Sequence, residues 1–313
     1  MARRSQRDDP EVIRRELVDL LVNFERHLAH SDLRTKVCGL IPANHLLRDL
    51  GSSLVVGDDT ASARDRILHY MRRHVGIVVH GDELMIVAGI SEYARRVREL
   101  RVEHGWSIMS GVTVSEMRRN AEEEDSDEAL EIPDMKPDEY VLLDVGQDRD
   151  GAYRWHVANE IRKEGSLSVR DKILAYLRKN VGKIVNGEEL RYVANNKTEW
   201  ARRTRELRTE FGWPLVTRTN GRPDLPIGTY VLETERQSPP HDRAIKDSVR
   251  RKVLQRDGYA CRRCEWSHDD WNASDPRHLE AHHIKHHAHG GDNDASNLVT
   301  YCNVCHDLVH AEN

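Results

Sequence analysis

Four cysteines late in the chain stand as two Cys-x2-Cys pairs, Cys261/Cys264 and Cys302/Cys305, with 37 residues between them. Two such pairs can supply a tetrahedral four-thiolate zinc site with bonds of about 2.3 Å, and the metal then closes the segment into a small domain. A second set overlaps the first: His282 and His283, then 13 residues to Asn297, eight more to His306 and three more to His310. His306 and His310 are four apart, so on a helix both imidazoles face one side and can share a metal. A bare zinc ribbon does not need that arrangement.

The chain that must position these groups has 313 residues, with 48 Lys plus Arg against 53 Asp plus Glu and a formal net charge of -5. At about 100 to 200 residues each, that length predicts two or three domains. Apolar residues make up 38%, charged residues 32%, and there are two Phe, which fits an arginine-rich globular protein and excludes a collagen-like one. No apolar run reaches the roughly 18 residues that span a bilayer, and the start, MARRSQRDDPEV, has no apolar core behind its arginines. Neither export nor a membrane location is therefore expected, and in a reducing compartment paired cysteines point to zinc rather than to disulfides. Cys38, in the run KVCGLIP, reads as a small buried hydrophobe.

Taken alone, a charge of -5 speaks against a nucleic-acid partner, whose usual footprint is a clearly basic domain. The acid is confined, however: Ala121 to Glu139 holds ten Asp or Glu and one Lys, a net -9, so the other 294 residues sum to +4. Such a run cannot bury enough apolar surface to order itself and reads as a mobile acidic loop.

An internal repeat organises the middle of the chain. The segment from Ser62 to Trp106 returns from Ser168 to Trp213, offset by 106 residues up to Gly81/Gly187 and by 107 from Glu92/Glu199 onward. Each copy reads as three helices and a hairpin. In the second copy, Ile173, Leu174 and Leu177 mark an apolar face, Gly187 precedes the short helix EELRYVA, and Thr198 is a candidate N-cap for the third helix. On that third helix Trp200, Thr204, Leu207 and Phe211 recur at helical spacing, which leaves Arg202, Arg203, Arg205 and Arg208 mainly outside. Two helices joined by a tight turn, the second studded with arginine, are what a helix-turn-helix needs. The runs flanking TNGRPDLP read as a β-hairpin, and three helices followed by a hairpin resemble a winged-helix domain. The first copy has the same closing strand at Tyr140 to Leu142, but an insertion of roughly residues 115–139 separates its wing strands. Residues 10–56 read as two or more helices whose stripe of Val12, Ile13, Leu17, Leu20, Leu21 and Phe24 serves core or dimer packing. QSPPHD, residues 237–242, reads as a linker.

The C-terminal segment resembles the HNH, or ββα-metal, nucleases in their zinc-knuckled form. The pattern Leu-x-x-His-His-Ile, Gly-Gly, Ser-Asn-Leu, Cys-x2-Cys-His appears as Leu279 to Ile284, Gly290-Gly291, Ser296-Asn297-Leu298 and Cys302 to His306. The resemblance implies that His282 and His306 ligate a catalytic divalent metal, Mg2+, Mn2+, Co2+ or Ni2+. His310 is then a third ligand or a phosphate contact. His283 is the general base, and Asn297 orients it by hydrogen-bonding the backbone of its loop. Phosphodiester hydrolysis needs a deprotonated water and a cation to neutralise charge on the phosphorane and the leaving 3′ oxygen, and an imidazole can take that proton at neutral pH. His286, His287 and His289 fall in a family loop and read as exposed or DNA-facing. Arg250, Arg251, Lys252 and Arg256 read as a solvated helix face or as phosphate contacts, and Trp266 and Trp271 as core.

Charge separates the two copies. Ser166 to Arg218 holds twelve Lys or Arg against six Asp or Glu, while Ser62 to Ser110 holds eight against six. The second copy is thus the stronger expected DNA reader, through Lys197, Arg202, Arg203, Arg205 and Arg208, with Arg95 and Arg96 as counterparts in the first. Tandem winged helices fused to an HNH domain resemble modification-dependent bacterial restriction endonucleases, some of which read 5-methylcytosine. The expected fold is therefore mainly α with small β-hairpins (α+β): an N-terminal helical segment (1–57), two winged helices (58–145 and 160–236), and a ββα-metal nuclease domain with structural Zn2+ (243–313). The expected function is a cytoplasmic, metal-dependent, site-specific endonuclease of a restriction system, acting on double-stranded DNA in dependence on 5-methylcytosine and working as a homodimer. The rivals are a restriction enzyme for unmodified DNA, a homing-type nuclease and a non-catalytic, zinc-stabilised DNA-binding regulator.

Overall fold

A computed structural model describes residues 9–57, 59–123, 133–238, 245–270, 275–285 and 290–312. Trp271, His286, His287, His289 and residues 124–132 of the acidic run lie outside the described residues. The fold is α+β, mostly helical with small antiparallel sheets. Two compact units divide it, one of Met1–Ile108 with Asp138–Ala152 and one of Met109–Pro137 with Tyr153–Asn313. None of the described helices is long and apolar enough to cross a membrane.

The first unit opens with helices α1 (Pro10–Asn23), α2 (Glu25–Leu28) and α3 (Leu33–Ser53). Asp9 caps α1 and Asp32 caps α3, each carboxylate taking a backbone N–H that the first turn leaves open. Of the six stripe residues, only Ile13 is buried; Val12, Leu20 and Leu21 are exposed. Cys38 is exposed too, against the expectation of a buried side chain, because α1 and α2 cover the opposite side of α3.

The first copy of the repeat follows: α4 (Ala63–Arg72), β1 (Val79–His80), α5 (Gly81–Ala88), α6 (Tyr93–Val102), β2 (Ile108–Ser110) and, after the insertion, β3 (Glu139–Leu142). In the second unit α8 (Gly151–Lys163) leads into the second copy. It comprises α9 (Val169–Lys179), β4 (Val185–Asn186), α10 (Gly187–Val193), α11 (Trp200–Thr209), β5 (Leu215–Val216) and β6 (Thr229–Leu232). The sheet orders match, β1-β3-β2 and β4-β6-β5. The cores match residue for residue: Ile67/Ile173, Leu84/Leu190 and Leu100/Leu207 are all buried. The hairpin pairs Leu215 with Leu232 and Val216 with Val231. Helix α11 starts at Trp200 with Glu199 as N-cap rather than at Thr198, because Asn195 and Asn196 turn the chain with positive φ just before it. Gly187 is needed where it stands, since a Cβ there would lie 3.0 Å from the buried Trp200 ring.

Two charged segments depart from expectation. Residues 115–123 of the expected insertion lie in a helix, α7 (Gly111–Glu123), packed on α10 and α11 of the second copy. Buried Glu116 accepts Trp200 Nε1 at 2.8 Å and Arg191 Nε at 2.9 Å, while Glu188 accepts Ser110 N and Thr113 Oγ1 at 2.7 Å beside the start of α7. A carboxylate at a helix N-terminus is favoured by the open N–H groups there. α8 runs through the expected domain start at 160, and its Arg154 pairs with fully buried Glu189 at 2.8 Å.

The C-terminal region is built from α12 (Asp247–Arg256), the antiparallel pair β7 (Leu279–His283) and β8 (Leu298–Cys302), and α13 (Asn303–Glu312).

Candidate active site

β7 alternates its side chains between two faces, as any strand must. His278, Glu280 and His282 share one face; Leu279, Ala281 and His283 share the other. All five β7 residues are buried, because α13 covers the strand pair and α12 also packs on it. His282 and His283, adjacent in sequence, therefore serve two different sides of the strand.

On the first side α13 brings in His306 and His310, one turn apart. The three imidazoles of His282, His306 and His310 present ring nitrogens within 4.8 Å of one another, and their ring centroids are 4.6 to 5.0 Å apart. His306 Nε2 and His310 Nε2 are 3.0 Å apart. Two nitrogens at right angles around one cation, each at about 2.1 Å, would be separated by about 3.0 Å, so the donor set fits a shared metal. Glu280 settles which nitrogen His306 offers. Its Oε2 accepts from His306 Nδ1 at 2.5 Å and its Oε1 from His278 Nε2 at 3.0 Å, so His306 carries its proton on Nδ1 and its lone pair on Nε2. Burial works against a charged Glu280, but hydrogen bonds from His278 and His306 more than offset it and hold the carboxyl below the usual carboxylate range. Burial likewise disfavours charge on His278, yet its bond to Glu280 keeps its pKa above the ordinary value.

On the other side, His283 Nε2 lies 2.8 Å from Asn293 Oδ1. A carboxamide oxygen only accepts, so Nε2 carries the proton and Nδ1 the lone pair. Asn297 does not touch His283 and instead ties the loop around it. Its Oδ1 accepts Lys285 N at 2.9 Å, its Nδ2 donates to Lys285 O at 3.1 Å and Asp292 O at 2.8 Å, and its carbonyl accepts Ile284 N at 2.8 Å. Gly291 allows that loop to pass, since a Cβ there would fall 1.8 Å from Lys285 O.

The four cysteines converge beneath the strand pair. Their sulfurs all lie within 4.8 Å of one another, with Cys264 and Cys302 3.8 Å apart, about the edge of a tetrahedron with 2.3 Å metal–sulfur bonds. All four are free thiols. The first knuckle is shaped by backbone: Cys261 donates to Trp266 O and accepts from Glu265 N, both at 2.8 Å, and Glu265 takes a positive φ. Trp266 is buried beside the cluster, donating to Asp275 at 2.9 Å. Burial pushes Cys302 up to about 11, whereas at Cys261 burial is outweighed by backbone hydrogen bonds that bring the thiol down to about 7, so one cysteine of the cluster is poised to ionise. The fit is that of a structural zinc site.

Residues 261–312, which hold both clusters, match the family described as HNH endonuclease. The C-terminal region is an HNH endonuclease domain. Residues 64–143 and 170–233 match the family described as KpnI N-terminal domain, a restriction-enzyme family. The two stretches start 106 residues apart, the offset of the repeat, so the match falls once on each copy. No curated protein and no solved structure matches the chain. The two families together make it a DNA endonuclease of restriction type.

The basic residues chosen from the sequence do not act as one group. Lys197 and Arg202 are exposed, Arg202 lying 3.4 Å from Glu206, and Arg203 is held by Glu206 and Glu199 at 2.9 and 3.4 Å. Arg95 and Arg96 pair in the same way with Glu99, the counterpart of Glu206, at 3.3 and 2.6 Å. Arg205 reaches Asn120 on α7 at 2.6 Å. Arg208 departs from the expectation of an outward-facing side chain: it is buried, donates to Leu215 O at 3.2 Å and pairs with Asp247 of α12 at 2.8 Å, so it joins the nuclease domain to the second copy. Arg256 is also structural, donating to Ala295 O and Leu298 O at 2.7 and 2.8 Å at the start of β8.

The sequence reading missed Glu280, His278 and Asn293. The alternation His278-x-Glu280-x-His282 was a usable signal for the first two, because residues two apart on a strand share a face.

Proposed function

We propose that the chain is a bacterial, cytoplasmic, site-specific restriction endonuclease that hydrolyses both strands of double-stranded DNA, with His283 as general base and His282, His306 and His310 holding one divalent metal. The observation that carries this reading is the division of labour across β7, with a three-imidazole cluster on one face and a single histidine of defined tautomer on the other. His283 Nδ1 takes the proton of the attacking water, while Asn293 holds the ring and Asn297 holds its loop; an imidazole titrates near neutrality and suits that role. When bound, a divalent cation neutralises charge on the phosphate and on the leaving 3′ oxygen. Imidazole ligands favour Co2+ or Ni2+ by affinity, and cellular supply favours Mg2+ or Mn2+. Zn2+ at the four cysteines holds the domain together.

The two copies of the repeat, as winged helices, bind the duplex that the nuclease centre cuts. Three helices and a three-stranded sheet, with the third helix basic, support that assignment. Both Arg202 and Arg203 pair with Glu206, whose side chain is only 10% exposed, so a phosphate that draws one arginine away leaves the other to compensate the carboxylate. The working division is 1–57, 58–145, 160–236 and 243–313, and 5-methylcytosine dependence belongs to the same proposal. Cutting both strands takes two single-cut centres, hence two copies.

Replacing His283 tests the core of the reading. The His283→Ala variant is expected to bind DNA as the wild type does and to lose cleavage by at least about 100-fold. Full activity in that variant would refute His283 as the base.

A further inference from the structure

We propose that the exposed face of α3 is the surface through which two copies of this chain pair. Leu33, Val37, Leu40, Ile41 and Leu47 lie along one side of α3 and are 42 to 73% exposed, although a helix buried by its own fold turns such a stripe inward. The other side of α3 is already used. Ala43 is buried there against α1, and a Cβ on Gly39 would collide with His27 at 2.7 Å. Pro42, the residue inside α3 that lacks a backbone N–H, is exposed about half a turn away from the leucines and leaves the stripe undisturbed.

The spacing says what covers the stripe. Leu33, Leu40, Leu47 and Leu54 are each seven residues apart, and Val37 and Asn44 stand four residues after Leu33 and Leu40. This is the repeat of a helix that packs against a helix like itself, with leucine at one seam position, a β-branched residue at the other and a single polar Asn that sets register and favours two strands. The stripe ends at Gly51, where a Cβ would lie 2.6 Å from Ile86 O, and the apolar surface continues through exposed Leu54 and Ile86. Leu33 to Leu47 with Leu54 and Ile86 expose roughly 700 Å2 per copy, more than the largest apolar patch of a typical monomer, roughly 300 to 600 Å2. Pairing two such faces removes roughly 1,400 Å2 from water, within the range of stable interfaces, roughly 1,200 to 2,000 Å2. A second copy supplies the matching area and the matching repeat. The surface is assigned from α3 alone; its consequence for cutting both strands rests on the nuclease reading above.

Charge swaps on the full chain provide the test. Leu40→Glu/Leu47→Glu and Leu40→Lys/Leu47→Lys replace exposed residues with helix formers nearly as good as leucine, so the helical circular dichroism is expected to be unchanged. In sedimentation at tens of micromolar, the wild type is expected at twice 36.1 kDa, each variant alone at 36.1 kDa, and the two variants mixed at twice that mass again. On supercoiled plasmid the wild type is expected to give linear product and either variant alone mainly nicked circles. A monomeric wild type, a Glu variant that stays dimeric, or folded monomeric variants that fail to pair when mixed would overturn the assignment. A dimeric wild type that cuts nothing would count against the nuclease reading and leave the surface standing.

Discussion

Glu280 does more for the site than its place between two better-known residue types suggests. One carboxylate binds His306 and His278, fixes which nitrogen His306 presents, and is itself kept ionised by those bonds. The Glu280→Gln variant keeps the shape but loses the charge, so Mn2+ affinity, measured by calorimetry on protein shown to be folded by circular dichroism, is expected to fall about 10- to 100-fold. Unchanged affinity would remove Glu280 from the metal site. The cysteines and the three imidazoles were legible in the sequence because metal chemistry ties residue type to short spacing. Asn293 was not legible, because its contact with His283 depends on the path of the loop closed by Gly291 and Asn297.

Helices α7 and α11 show where charge patterns mislead. An arginine three residues after another on a basic helix looks solvent-exposed, yet Arg208 is fixed by Asp247, an acid on α12 about forty residues away in sequence that no local pattern reveals. Arg208→Ala would strip that carboxylate of its hydrogen-bonded partner and leave only the charges of Arg250 and Arg205 near it, at a cost of up to about 3 to 5 kcal/mol, whereas Arg202→Ala is expected to cost less than about 1 kcal/mol. Thermal unfolding of the two variants distinguishes them. Burial raises the pKa of Asp247, but the charge and hydrogen bonds of Arg208 lower it further, so the folded value lies below the unfolded one of about 3.9. The pair's stabilisation is therefore present above about pH 4 and lost as the pH falls through the depressed folded value. The melting-temperature gap between wild type and Asp247→Asn is expected to narrow below pH 4; a constant gap would contradict the ion pair. α7 escaped the sequence reading for the converse reason. Its first turns, GVTVSEMRR, were merged with the acids behind them, yet Glu116 and Glu188 give the helix specific partners. Deleting residues 124–132 leaves α7 whole. If the acidic run competes with DNA for the basic surface, that deletion is expected to tighten non-specific binding at low salt, and unchanged affinity would end the idea.

Across the whole chain, the duplicated repeat and the nuclease domain were readable because each has its own periodicity: equivalent core residues recur 106 or 107 positions on, and knuckles and histidines keep fixed spacing. The N-terminal helices were readable as helices, but whether their apolar stripe faces a core or a second copy depends on which side α1 occupies. Zinc removal acts at this scale too. A strong chelator, or Cys302→Ser, is expected to unfold the nuclease domain while leaving the repeat copies helical, as proteolysis would show; a folded, zinc-loaded Cys302→Ser domain would contradict the structural site. The most direct test of the central claim is cleavage of matched plasmids, with and without 5-methylcytosine, in Mn2+ by the wild type and the His283→Ala variant. Linear product is expected from the wild type on the methylated plasmid, and intact plasmid with the variant. Equal cutting by both proteins, or no cutting of either plasmid by the wild type with any divalent metal, would contradict the catalytic reading, and equal cutting of both plasmids by the wild type would contradict the dependence on 5-methylcytosine.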